Sequence, residues 1–84
     1  MKNTVTQEDI NNIIENSHFF ITTVFEKCTV VICQLPSGFI ITESSACVDK
    51  INYDAELGEK ICRERIKNKV WELEGYKLQC ELAK

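Results

Sequence analysis

The sequence predicts one small α+β domain over residues 1–84, in the order α-β-β-β-α-β, with an antiparallel sheet and the helices on one of its faces. Three observations predict it. Apolar residues recur at helical spacing near the start, at Ile10, Ile13 and Ile14, and again at Cys62, Ile66, Val70 and Leu73. Between these stretches lies Phe19–Leu35, dense in β-branched and aromatic residues and interrupted only by Glu26 and Lys27. With 84 residues, the chain is long enough for one core and too short for two.

The first helix starts after Thr6, whose hydroxyl can cap it while Asp9 reaches back, and Val5 and Ile10 stand where a hydrophobic staple needs them. A hairpin follows, Phe19–Phe25 and Thr29–Leu35. Its connection lacks the Asn-Gly or Asp-Gly of a tight turn, which leaves the register open. Leu35-Pro36-Ser37-Gly38 reads as a turn into a third strand, Phe39–Glu43. The second helix begins near Asn52 or Asp54, either of which can cap it. Asp54, Glu56 and Glu59 crowd its start and Lys60, Arg63, Arg65, Lys67 and Lys69 its later turns, as the helix dipole favours. Leu57 and Ile61 form a second apolar face, and Gly58 between the two faces suggests close backbone approach. Gly75 reads as the helix stop, and the alternation of Tyr76, Leu78, Cys80 and Leu82 predicts a final strand.

Composition excludes several functions. The net charge of −3 argues against a nucleic-acid binder, which needs a cationic surplus or patch. Double-stranded RNA-binding domains share an α-β-β-β-α order, but the second helix here opens on carboxylates that would repel phosphate. Five cysteines, an odd number, fall mostly within predicted elements, where a free Cys serves as a small buried hydrophobe. No paired Cys spacing and a single histidine, His18, argue against a metal site; no cofactor is implied. The start from Met1 to Thr6 is polar with no apolar stretch behind it, and no run is long enough to span a bilayer. The expectation is a cytoplasmic protein that does not engage membranes.

Candidate sites are few. Cys47, with Ser44 and Ser45, could supply a nucleophile, but the only histidine lies far off in sequence, and Glu43 and Asp49 would oppose a thiolate. The Glu43–Asp49 stretch reads more simply as a capping and turn segment, and no enzyme is expected. Arg65 and Lys69 stand one turn apart between the two apolar faces and could hold one anionic group, with Tyr53 and Trp71 as aromatic contacts; the simpler reading of the basic run is a solvated helix surface. Trp71 off the core stripe is either partly buried by the C-terminal strand, the core reading, or exposed for a partner.

Gly38-Phe39, Glu43-Ser44-Ser45-Ala46-Cys47-Val48-Asp49, Asn52-Tyr53-Asp54 with Glu56-Leu57-Gly58, and Lys69-Val70-Trp71-Glu72-Leu73-Glu74-Gly75-Tyr76 carry a further signal. These motifs resemble a small phage protein family named after gene product 49 of the coliphage N-four and gene 66 of the Shigella phage Sf-six. The resemblance runs from about residue 22 to 78. It implies a phage or prophage accessory protein acting inside the host, with no catalytic residue to carry over. The leading expectation is therefore a non-enzymatic factor that binds a host or phage protein and forms a homo-oligomer. The alternative is a module that sequesters a small anionic ligand such as a nucleotide.

Overall fold

The computed structural model describes residues 3–84; Met1 and Lys2, part of the expected domain and of its polar start, lie outside the described residues. The order is α1 (Gln7–Glu15), β1 (His18–Val24), β2 (Cys28–Gln34), β3 (Ile40–Ala46), a 3-10 turn at Lys50–Asn52, and α2 (Ala55–Leu82). β2 is the middle strand of an antiparallel β1-β2-β3 sheet. The α+β class, the three strands and both helices are as the sequence predicts.

Local chemistry sets the element ends. Thr6 caps α1 through a full capping box: the Asp9 amide donates to Thr6 Oγ1 at 3.2 Å, and the Thr6 amide donates to Asp9 Oδ2 at 2.9 Å. Of the two caps open for the second helix, Asp54 is the one used, accepting from the Leu57 amide at 3.1 Å. At Leu35–Gly38 the Gly38 amide returns to the Leu35 carbonyl at 2.8 Å.

Three expectations need correction. Phe25 leaves the hairpin strand: Val24 pairs with Cys28, and Phe25 and Glu26 take φ of 54° and 60°, the left-handed pair that turns the chain. Residues 76–82 form no strand, because α2 runs unbroken through Gly75 to Leu82. A single glycine on an exposed helix face costs only about 1 kcal/mol, too little to stop a helix whose earlier turns are already packed. Leu78 then reaches α1, half-buried beside Val5 and Ile13, while Tyr76, Cys80 and Leu82 stay exposed. The alternation is thus satisfied by one inward residue. β3 also runs three residues beyond Glu43, since Ser44, Ser45 and Ala46 keep pairing with β2.

Alternation divides the sheet. Thr29, Val31 and Cys33 of β2 are buried beneath α2, with Ile41 of β3 beside them. Cys62, Ile66 and Val70 face them from α2, Ile10 closes the core from α1, and Leu35 lies at its edge. Gly58 lets α2 approach β2 so closely that any Cβ there would collide with the Thr29 side chain. On the β1 side Arg63 lies over the Phe19 ring, 4.3 Å from its centre, and donates to Glu59 at 2.7 Å. At 28 residues, α2 is about 42 Å long by the helical rise, against ~23 Å for seven-residue strands, so the molecule is a rod of 52 × 20 × 19 Å.

Candidate functional site

The residues singled out from the sequence are held in three separate places. Arg65 and Lys69 lie on the flank of α2 that overhangs β3. The Arg65 guanidinium donates to the Ser44 carbonyl at 2.7 Å, and the Lys69 ammonium meets the Glu43 carboxylate at 2.8 Å. Glu43 faces α2 because it shares the inward set of β3 with Ile41, and its side chain is largely buried. The shallow groove between them, about 300 Å³, is also lined by Asn68 and Glu72, so two cations meet two carboxylates. Arg65 closes part of the outer edge of β3, which would otherwise offer free carbonyls to another strand.

Tyr53 sits over β1 and β2 rather than on the β3 flank. Its hydroxyl lies 2.8 Å from Thr23 Oγ1 and 2.6 Å from Thr29 Oγ1, which bolts the start of α2 onto β1 and β2. Trp71 follows Lys69 by two residues, some 200° round the helix, and packs half-buried against the core. Arg65 and Lys69 come together as expected, whereas Tyr53 and Trp71 do not join them in one pocket. Trp71 is covered by the core, not by a C-terminal strand, since residues 76–82 continue the helix.

Of the residues expected in a capping and turn segment, Glu43, Ser44 and Ser45 belong instead to β3, and Cys47 and Asp49 do cap and turn. The Cys47 amide donates to the Lys27 carbonyl at 3.0 Å and its thiol to the Asp49 carbonyl at 3.1 Å. Asp49 Oδ1 accepts from the Ile51 amide at 3.0 Å, starting the 3-10 turn. Ser45 lines a cavity of about 170 Å³ with Cys47, Tyr53 and Gly58, while Ser44 belongs to the opposite face of the sheet. His18 pairs with Gln34 at one end of the sheet, and Cys47 follows Ala46 at the other, a separation of about 20 Å along the strands. His18 is therefore out of reach of that thiol. Burial pushes the Cys33 thiol up, against the opposing pull of Ser17 and Arg63; burial likewise raises Cys62, with Arg65 opposing. Both are core thiols of low reactivity.

Two features escaped the sequence reading. The first is an apolar tip, where Phe25 is 88% exposed, Val48 95% and Ile51 85%. The β1-β2 turn and the loop before α2 are tied together there: Lys27 donates to the Val48 carbonyl at 3.3 Å, and Lys50 pairs with Glu26 at 3.3 Å. The missing Asn-Gly was the available signal, since a turn with bulky residues in left-handed backbone costs about 1–2 kcal/mol per residue. The second is the sheet face away from α2. It carries His18, Phe20, Thr22 and Val24 of β1, their β2 partners Gln34, Ile32, Val30 and Cys28, and Ile40, Thr42, Ser44 and Ala46 of β3. The density of β-branched and aromatic residues marked the strands; which alternate set faces the helix was not legible, because both sets of β2 are mostly apolar.

No described helix is long and apolar enough to cross a membrane, and among the described residues no group of three or more His, Cys, Asp or Glu is placed to hold a metal ion. No curated protein and no solved structure matches the chain. The family model described as phage protein (N4 Gp49/phage Sf6 gene 66) matches residues 5–82, the span from the staple residue Val5 to the last turn of α2, and the chain belongs to that family.

Proposed function

We propose that this phage-family protein is a non-enzymatic factor that binds a host or phage protein in the cytoplasm of the host cell. The observation that carries the reading is the tip. Three large apolar side chains, each at least 85% exposed, stand at one end of the rod. Two left-handed non-glycine residues hold the first of them in place. A fold does not keep costly backbone and exposed aromatic surface at one point without return, and strained segments cluster at ligand clamps. Burial of this surface by a partner is favourable at about 25 cal/mol per Å² of apolar area, and a braced tip loses little conformational freedom on docking. The surrounding charges pair internally, Lys50 with Glu26, so recognition rests on shape and apolar area.

Affinity capture from phage-infected cells tests the reading. Wild-type protein should retain at least one host or phage protein that a Phe25→Ser/Ile51→Ser variant, with unchanged circular dichroism, retains at a tenth of that level or less. Identical retention by both proteins overturns the proposal, as does a wild type that holds nothing above an unrelated control.

A further inference from the structure

We infer that the sheet face opposite α2 is the interface of a homodimer, in which two copies of the chain pack sheet against sheet. An antiparallel sheet with one free face ordinarily makes that face polar. Here Phe20, Val24, Cys28, Val30, Ile32, Ile40 and Ala46 make most of it apolar, and Phe20 is 62% exposed. The remaining positions are His18, Thr22, Gln34, Thr42 and Ser44, and no Asp, Glu, Lys or Arg falls among the twelve.

The absence of charge selects the occupant. A two-fold axis brings each residue of such a face against the same surface of the other copy, and any charged position risks a like charge in a desolvated setting. This face satisfies that condition at every position, while it offers nothing for a partner of opposite charge to recognise. Area agrees. Three seven-residue strands at ordinary rise and spacing give a footprint of about 23 by 14 Å; side-chain relief roughly doubles this, to ~650 Å² per copy and ~1,300 Å² in total, within the range of stable interfaces. A second sheet at about 10 Å would give the chain the two-sided core that one sheet and one long helix leave half made. The alternative pairing, edge to edge, is hindered at β3 by the Arg65 guanidinium on the Ser44 carbonyl. The face shares no residue with the tip, and each is tested by its own variants, so this dimer stands or falls independently of the partner reading.

Sedimentation equilibrium of the full chain at micromolar concentration is the test. The wild type should sediment at twice the 9.7 kDa of the chain. Phe20→Lys should weaken association about a hundredfold, as expected of a lone charge buried in an apolar interface. Thr42→Lys serves as the second variant: Thr42 is exposed and outside the core, so its folding is secure, and it should dissociate the dimer with unchanged circular dichroism. A monomeric wild type overturns the inference. So does a dimer that survives both substitutions, which would point to pairing along the β1 edge, or one abolished by Phe25→Ser/Ile51→Ser at the tip.

Discussion

A methyl group on Gly58 has nowhere to go: it would overlap Thr29 Oγ1 and stand 2.9 Å from Thr29 Cβ. Gly58→Ala should therefore destabilise by about 2–4 kcal/mol, an overpacking cost at the high end because backbone must move. Thr29→Ala removes the nearer atom, so the double variant should lose less than the sum of the two singles in denaturant melts. This contact was legible, since a glycine set between two apolar faces of a helix marks where a neighbouring element comes close. The cysteines divide in the same way by environment. Cys33 and Cys62 are fully buried with raised pKa, so the unfolded chain releases their protons first as pH rises. Stability from these thiols is complete below the unfolded value of 9.0 and is lost as pH climbs from there toward the folded values. Urea midpoints should fall above pH 9 in the wild type and fall less in a Cys33→Ala/Cys62→Ala protein, each compared with its own neutral-pH midpoint. Exposed Cys80 should be alkylated first in the native state, and the two core thiols last.

At the scale of elements, the capping box, both helix starts and the Leu35–Gly38 turn follow from a few residues acting on their immediate neighbours. The tail did not yield to the same reasoning. Alternation over 76–82 matches a strand, whereas the helix already nucleated at Asp54 adds one backbone bond per residue without closing a new long-range pairing. Tertiary context decides, and a seven-residue pattern cannot report it. Nothing lies within 4 Å of a Cβ built on Gly75. Gly75→Ala should accordingly stabilise by about 0.5–1 kcal/mol and raise helical ellipticity, where a strand beginning after a glycine stop would be weakened by the same change. The hairpin shows the converse limit: strands were evident from composition, yet their register depended on the left-handed Phe25-Glu26 pair, which no propensity favours.

For the whole molecule, one long helix on one side of three strands leaves a rod with two surfaces unaccounted for by folding, the tip and the open sheet face. The tip could not be read from the sequence, because Phe25 is distant along the chain from Val48 and Ile51 and comes to their end of the molecule only where Lys27 and Lys50 tie the hairpin to the loop. The basic pair was legible as a pair, but its neutralisation by Glu43 and the Ser44 carbonyl required the register of β3. A dimer would carry two tips and so gain from multivalent partners. The competing accounts of binding, apolar tip against cationic groove, separate in a single measurement: quantitative mass spectrometry of proteins captured from infected cells by wild type, by Phe25→Ser/Ile51→Ser and by Arg65→Gln/Lys69→Gln. The tip account predicts that the groove variant retains the partner at the wild-type level while the tip variant loses at least nine-tenths of it; retention by the tip variant with loss by the groove variant would contradict it.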